Sequence, residues 1–179
     1  MSAVAMGLLK KGFSVSGSDL IKNNETKKLE KLGAIFFNSQ TRQNIEFVTS
    51  KFNNKLINFV VSTAIKPDNE ELMYCREKNL PVKHRSEILS LLMQSYTSIA
   101  VSGSHGKTST STFLSTLLEL CTHNSSSITG GIIPIYNSNC HLENTKFLVA
   151  EIDESDGTIN RYKSDIGIIN NIDFDHCDH

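Results

Sequence analysis

Two closely spaced glycines precede a lysine and a threonine in the stretch Gly103-Ser104-His105-Gly106-Lys107-Thr108. Backbone N–H groups of such a loop, and of a helix that begins behind it, can bind phosphate oxygens. The lysine can reach the terminal phosphates of a nucleotide, and the threonine hydroxyl can ligate Mg²⁺. We therefore predict that these six residues, together with Ser109, bind ATP. The alternative is a plain Gly-Ser turn with an exposed lysine, because the loop is shorter than the usual nucleotide-binding pattern.

The segments on either side of this loop are those that a phosphate-binding loop requires. The apolar run 98–101 predicts a buried strand, and the residues after Lys107 predict a helix. The apolar positions of that helix fall on one stripe, which we expect to face the core. They are Phe113, Leu114, Leu117, Leu118 and Cys121.

Acidic residues are concentrated at the end of the chain, where eight lie between Glu151 and Asp178 beside only two basic residues. Glu151 ends the predicted strand that begins at Lys146. Carboxylates packed together without partners repel one another, and a divalent cation removes that repulsion. We therefore predict a magnesium ion shared by Glu151 and Thr108. The alternative is a solvated acidic loop.

A zinc site formed by His176, Cys177 and His179 is a second possible metal centre. We reject it, because consecutive residues of an extended chain point to opposite faces and cannot converge on one ion. The spacing also differs from that of known zinc sites.

The composition is that of an ordinary globular protein, with 39% hydrophobic and 21% charged residues among 179. The net charge is −1, divided into a mildly basic first half and an acidic second half. This charge balance gives no reason to expect a nucleic-acid or membrane partner. The cysteines show no paired spacing, which fits a reducing cytoplasm.

Alternation of predicted strands and helices indicates an α/β fold with parallel sheets. We predict a Rossmann-like domain over residues 1–95, followed over residues 96–179 by the first part of a P-loop-type ATP-binding domain. Residues 123–127 and 134–145 are predicted to be a polar linker and a surface loop.

Two segments of the first domain follow predicted strands, where ligands bind in open α/β sheets. Asp19 ends the first of these strands and could contact a ribose, although it could equally cap a turn. Residues 63–68 follow the strand that ends at Ser62.

Three motifs together resemble the Mur ligase family of peptidoglycan synthesis. They are the loop 103–108, the segment Ala150-Glu151-Ile152-Asp153-Glu154-Ser155-Asp156-Gly157, and the segment Asn170-Asn171-Ile172-Asp173-Phe174-Asp175-His176. His105 and the sequence of residues 153–156 resemble most closely the branch that acts on UDP-N-acetylmuramate with L-alanine. The resemblance covers nearly the whole chain.

This resemblance implies an ATP-dependent ligase of the bacterial cytoplasm, in which Lys107 is the catalytic lysine. Thr108 and Glu151 would hold one magnesium ion, and His176 would help to hold a second. The substrate would be bound by residues from both domains. They are Asp19, Ser62, Thr63, Ala64, Asp153, Glu154, Ser155 and Asp156.

The resemblance also implies sequence that the chain does not contain. A first strand with its glycine-rich turn would precede Met1, and the rest of the central domain and a third domain would follow His179. We therefore expect the 179-residue chain to bind nucleotide without completing the ligation. Other possibilities are a murein tripeptide ligase, another family member, a folate-polyglutamylating relative, a small P-loop kinase, and a non-catalytic nucleotide-binding remnant.

Overall fold

The computed structural model describes residues 1–53, 55–121, 123–154 and 157–173. The chain divides into two compact units, Met1–Arg85 and Ser86–His179. Helices alternate with mostly parallel strands in both units. This arrangement confirms the predicted α/β class, because parallel strands need long crossover connections, which helices usually supply. No helix in the described ranges is both long and apolar enough to cross a membrane.

The first unit contains two pairs of short parallel strands. Its elements in chain order are α1 (Ser2–Lys10), β1 (Ser16–Ser18), α2 (Asn24–Lys31), β2 (Ile35–Phe37), α3 (Arg42–Lys51), β3 (Phe59–Val61), α4 (Glu70–Glu77) and β4 (Val82–His84). Strand β1 pairs with β2, and β3 pairs with β4. The first unit therefore has the alternation of helices and strands that the sequence predicts.

Local hydrogen bonds define where two of these helices begin. The side chain of Asn23 accepts hydrogen bonds from the N–H groups of Glu25 and Thr26, and the Thr26 hydroxyl accepts one from Asn23 N–H. At the start of α4 the side chain of Asn69 accepts a hydrogen bond from Leu72 N–H. These caps satisfy N–H groups that have no partner within the helix.

The carboxylate of Glu71 connects three elements of the first unit. Its two oxygens accept hydrogen bonds from Ser18 Oγ at 2.6 Å and from Asn44 Nδ2 at 2.7 Å. Helix α4 is thereby joined to the end of β1 and to α3. Since Ser18 directly precedes Asp19, this contact fixes the strand end at which Asp19 lies.

A five-stranded sheet forms the centre of the second unit. Its elements are α5 (Arg85–Met93), β5 (Thr97–Ser102), α6 (Lys107–Leu120), β6 (Ser125–Ile133), β7 (Ser138–His141), β8 (Phe147–Glu151) and β9 (Ile166–Ile169), with single 3₁₀ turns at Pro134–Tyr136 and Ile159–Arg161. The strand order is β7-β6-β8-β5-β9, and only β7 runs antiparallel to its neighbour. The carboxyl ends of β5 and β8 therefore meet at one edge, with Val101 opposite Glu151.

Helix α5 belongs mainly to the second unit, although the sequence analysis placed it in the first. Ser90 Oγ donates a hydrogen bond to the carbonyl of Arg161 at 2.9 Å, and Arg161 lies 3.7 Å from Glu87. These contacts join the helix to the loop before β9. Along the chain the division between the units falls at residues 85–86, whereas the sequence analysis placed the domain boundary at residues 95–96.

The predicted linker at 123–127 and the predicted loop at 134–145 are wrong in large part. Ser125, Ser126 and Ser127 are completely buried in β6, and Cys140 is completely buried in β7. Serine can occupy buried strand positions when its hydroxyl has a partner, as those of Ser126 and Ser127 do. Ser127 Oγ donates to Ser115 Oγ at 2.8 Å, and Ser126 Oγ donates to the carbonyl of Glu143 at 3.2 Å.

The predicted apolar stripe of α6 is only partly correct. Leu114 and Leu118 pack against the core of the sheet, but Phe113, Leu117 and Cys121 are exposed.

Two small polar residues occupy the face of α6 that lies against the sheet. Ser111 and Ser115 are completely buried, and each hydroxyl donates to a backbone carbonyl one turn earlier. Because these groups are satisfied within the helix, serine can replace apolar residues there. The helix therefore contacts the sheet through serine and leucine instead of through the whole apolar stripe.

Asp165 ties the start of β9 to β5. Its carboxylate accepts hydrogen bonds from the N–H and hydroxyl groups of Ser98, at 2.8 and 3.1 Å. These hydrogen bonds lower the pKa of the Asp165 carboxyl below its ordinary value, and the one from the backbone N–H of Ser98 has the largest effect. The contribution to stability is therefore present above the ordinary aspartate pKa of about 4, and it disappears as the pH falls through the lower folded-state pKa.

We expect Asp165→Asn to speed amide hydrogen exchange in β5 at neutral pH, with a difference from the wild type that shrinks below about pH 4. Exchange at the β5 amides is the measurement, and Asp68→Asn is the control because Asp68 is an exposed aspartate of the first unit. An unchanged difference between pH 7 and pH 3 would contradict this assignment.

Candidate functional site

The loop between β5 and α6 leaves the start of α6 open to an anion. Gly103 has φ +133° and Gly106 has φ +79°, conformations that favour glycine. Gly106 is the N-cap of α6, and no side chain of the described residues caps it. The first N–H groups of the helix thus lack the side-chain partner that usually satisfies them. Phosphate oxygens are suitable partners for such groups.

Lys107 folds back across this loop. Its Nζ donates hydrogen bonds to the carbonyl of Gly103 at 2.7 Å and to Glu154 Oε1 at 2.8 Å. Both ionic side chains are largely buried, with exposed fractions of 18% for Lys107 and 25% for Glu154. The ammonium group is therefore held beside the loop that we predict to bind phosphate.

Thr108 meets Glu151 at the edge of the sheet. Thr108 Oγ1 lies 3.0 Å from each oxygen of the Glu151 carboxylate, and Gly130 N–H donates to Oε2 of the same carboxylate at 2.8 Å. The predicted proximity of these two side chains is thus observed, and their role as metal ligands stays a prediction. The fixed carboxylate links the first turn of α6 to the end of β8 and to β6.

Two glycines of β6 leave space for this contact, and the sequence analysis did not select them. A Cβ atom on Gly130 would lie 3.0 Å from Glu151 Oε1, and one on Gly131 would lie 2.7 Å from Thr108 Cγ2. Consecutive glycines in a strand are the signal that could have identified this close approach.

Gly131→Ala is expected to weaken magnesium-dependent nucleotide binding. The new methyl group can be accommodated only if Thr108 moves, and rotation about χ1 of a β-branched residue carries Oγ1 away from Glu151. Overpacking of this kind costs about 1–3 kcal/mol. Calorimetric titration with a nucleotide is the measurement. Gly167→Ala is the matched control, because no described atom lies within 4 Å of its added Cβ; equal affinities of the two variants would contradict the prediction.

Asn170 and Asn171 hold the loop from the end of β9, and they too were missed as site residues. Asn171 Oδ1 accepts a hydrogen bond from His105 N–H at 2.9 Å, and both side-chain amides donate to the carbonyl of His105, at 3.2 and 3.1 Å. A Cβ atom on Gly103 would lie 3.1 Å from Asn171 N, so the two segments are in close contact. Two amide residues directly after an apolar strand were the available signal.

The remaining loop residues lie on the exposed side. Ser104 Oγ accepts a hydrogen bond from Asp173 N–H at 3.1 Å, and Ser109 is exposed in the first turn of α6. The side chain of His105 is exposed, although its backbone is held by the asparagines. Asp153 is half-buried. Ser155, Asp156 and His176 lie outside the described residues, as do Cys177 and His179 of the rejected zinc site.

The other predicted substrate residues belong to the first unit. Asp19 is exposed, and its Oδ1 accepts a hydrogen bond from Ile21 N–H at 3.2 Å, so it caps a turn as the alternative interpretation proposed. The carbonyl of Ser62 accepts a hydrogen bond from Ile65 N–H, and Thr63 and Ala64 are exposed in that turn. All four lie at the carboxyl ends of β1 and β3, and their roles in binding stay predictions.

The donor set at Thr108 and Glu151 fits magnesium. Mg²⁺ prefers one or two carboxylates and completes its coordination with water and phosphate oxygens. The described residues contain no group of three or more His, Cys, Asp or Glu side chains that could hold a metal ion. The Thr108 hydroxyl can donate its proton to Glu151 and still offer a lone pair to a cation.

Comparisons with known proteins cover both units. The model of the Mur ligase family, catalytic domain, matches residues 1–97, and the model of the Mur ligase middle domain matches residues 101–179. A UDP-N-acetylmuramate–L-alanine ligase of Prochlorococcus marinus subsp. pastoris is 72% identical over the whole chain, and one from strain SARG of Prochlorococcus marinus is 46% identical. The chain spans 38% of the length of each.

Solved structures show the same fold. A UDP-N-acetylmuramate-alanine ligase from Thermotoga maritima has a TM-score of 0.82 at 26% identity, with 98% of this chain and 40% of that chain covered. A ligase for UDP-N-acetylmuramate and a murein tripeptide from Neisseria meningitides has a TM-score of 0.88 at 23% identity, with 99% and 59% covered. Since one family model alone accounts for more than half of the sequence, this chain is a member of the Mur ligase family.

Proposed function

We propose that this chain supplies the nucleotide-binding part, and part of the UDP-sugar site, of an ATP-dependent ligase that joins L-alanine to UDP-N-acetylmuramate. The contact of Thr108 with Glu151 beside the open start of α6 is the observation that carries the nucleotide part. The relative that is 72% identical supports the choice of L-alanine, because its name specifies that reaction. The murein-tripeptide ligase of known structure shares only the fold at 23% identity.

The proposed reaction proceeds in two steps. A carboxylate oxygen of UDP-N-acetylmuramate attacks the γ-phosphorus of ATP, the bond to the β,γ-bridging oxygen breaks, and an acyl phosphate and ADP result. The amine of L-alanine then attacks the acyl carbon and loses a proton, and inorganic phosphate leaves as the amide forms. Catalysis of phosphoryl transfer consists mainly of positioning and charge stabilisation.

Residues of the second unit would act in the first of these steps. The N–H groups at the start of α6 would orient the phosphates, and Lys107 would stabilise negative charge on the oxygens of the transferred group. Thr108 and Glu151 would hold Mg²⁺, which supplies charge neutralisation on the phosphate oxygens. Asn170 and Asn171 would keep the loop in the required conformation through the backbone of His105.

Residues of the first unit would bind the UDP part of the substrate. Asp19 and the turn Ser62–Ile65 are at strand ends, where ligands bind in α/β sheets. The proposal places the reaction in the bacterial cytoplasm, in keeping with cysteines that show no paired spacing in the sequence.

Calorimetric titrations with two ligands test this proposal. We expect the chain to bind AMP-PNP, a non-hydrolysable ATP analogue, in the presence of magnesium, and separately to bind UDP-N-acetylmuramate. UDP-N-acetylglucosamine is the control, since it lacks the carboxylate that would be phosphorylated. Binding of the nucleotide without the UDP-sugar would favour a nucleotide-binding remnant, and failure to bind AMP-PNP would overturn the proposal.

A further inference from the structure

The ion pair between Lys107 and Glu154 has a consequence for how a nucleotide enters the site. Lys107 Nζ is 2.8 Å from Glu154 Oε1, and it donates a second hydrogen bond to the carbonyl of Gly103. A lysine ammonium group has three donors. Two of the three are therefore directed at the protein, and phosphate oxygens must compete with a carboxylate for this cation.

Glu154 is an incompletely satisfied carboxylate. Its Oε2 is buried and has no hydrogen-bond partner among the described residues. A carboxylate in this condition is held chiefly by its one cationic partner, because an unpaired buried charge is unfavourable. If Lys107 turned fully toward phosphate, Glu154 would lose its cation while a highly negative ligand approached.

The charges around the loop make this competition depend on a divalent cation. Lys107 contacts Glu154, and the neighbouring Thr108 contacts Glu151, so one ammonium group and two carboxylates lie beside the loop. When ionised, the side chains of Lys107, Glu151 and Glu154 together have a net charge of −1, which opposes the binding of a metal-free triphosphate. A cation of charge +2 bound beside Glu151 reverses the sign.

We infer that Glu154 is a positioning residue that makes nucleotide binding depend on magnesium, by neutralising Lys107 until a metal–nucleotide complex arrives. This inference rests on the proposed nucleotide site. It assigns Glu154 a role toward Lys107, in addition to the substrate contact that the sequence predicted. Substitution by glutamine keeps an oxygen acceptor for Lys107 and removes the competing charge.

The test is a ratio of two dissociation constants for AMP-PNP, in which the constant measured in EDTA is divided by the constant measured with magnesium. For Glu154→Gln we expect the metal-free affinity to rise about fivefold, as expected from the loss of a partly buried ion pair of about 1 kcal/mol. The affinity with magnesium should change much less, so the ratio of the two constants falls. Glu154→Ala, which leaves no acceptor, is expected to lower the ratio in the same way.

Glu119→Gln is the matched control. Glu119 is also in the second unit, but it lies about 18 Å along α6 from Lys107. It should leave the ratio unchanged. Far-UV circular dichroism and thermal melting establish that each variant is folded. If the wild type binds AMP-PNP with magnesium but neither Glu154 variant lowers the ratio, the inference is wrong and the proposed function stands. If the wild type fails to bind AMP-PNP with magnesium, the proposed function itself is wrong and the inference falls with it.

Discussion

Lys107→Met is expected to weaken binding of magnesium AMP-PNP by about 100-fold or more, because two hydrogen bonds from an ammonium group to phosphate are worth about 3 kcal/mol together. Methionine keeps the length and the apolar stem of the side chain but has no charge. The variant also leaves Glu154 without the cation that it contacts at 2.8 Å. Its carboxylate would then repel the phosphates. Titration calorimetry with magnesium present is the measurement.

Two controls separate the causes of this loss. Lys163→Met removes a lysine from an exposed position of the same unit and should leave the affinity unchanged. The double variant Lys107→Met/Glu154→Gln removes both the attraction of Lys107 for phosphate and the repulsion of phosphate by Glu154. Its affinity should therefore be higher than that of Lys107→Met alone. Retention of affinity within about threefold of the wild type in Lys107→Met would show that Lys107 does not contact phosphate.

Thr108→Val is expected to reduce magnesium-dependent nucleotide affinity by about 10- to 100-fold, the range found when groups around a metal are removed. Valine has nearly the same shape as threonine but cannot ligate a cation or donate to Glu151. Thr108 Oγ1 lies 3.0 Å from each oxygen of the carboxylate, so the substitution removes the single hydroxyl donor that the two oxygens share. Affinity measured across a magnesium titration reports the effect.

Thr108→Ser is the conservative control for this prediction. Serine restores the hydroxyl and should keep most of the affinity. Glu151→Gln should reduce the affinity as Thr108→Val does, and the double variant should lose less than the two single losses combined, since both residues act on one cation. Additive losses would contradict a shared ion, and equal affinities of the valine and serine variants would contradict a role for the hydroxyl.

The conformation of the loop 103–108 was predictable because its residue types and its chain position indicate the same structure. Glycine is required where φ is positive, as at Gly106, and the Lys-Thr pair follows directly at the helix start. The nearness of Glu151 to Thr108 was also predictable, because the carboxyl ends of neighbouring parallel strands meet at one edge. Neither deduction needed knowledge of side-chain packing.

Contacts that depend on packing between distant segments could not be predicted in the same way. Gly131 matters because its missing Cβ leaves room for Thr108, and Asn171 matters because its amide meets the backbone of His105. The paired glycines and the paired asparagines were local signals, but neither signal identifies the residue that is contacted. Their partners are 23 and 66 residues away in sequence, and only the sheet order brings them together.

The serine-rich strand β6 shows where hydrophobic patterning fails. The sequence of Ser125–Ser127 is typical of a polar linker, yet all three residues are buried. Hydroxyl groups paired across elements, such as Ser127 with Ser115, make serine acceptable in a close contact between a helix and a sheet. Such pairing is invisible until both partners are placed. The exposed Phe113 of α6 is the corresponding error on the other face of the helix.

A crystal structure of the chain with AMP-PNP and magnesium tests most directly whether the loop and the strand ends form one nucleotide site. We predict that the terminal phosphates lie against the N–H groups of residues 103–108, with Lys107 on their oxygens and one Mg²⁺ ligated by Thr108 Oγ1 and by Glu151. A nucleotide bound elsewhere, or a metal ion without Thr108 and Glu151 among its ligands, would contradict the account.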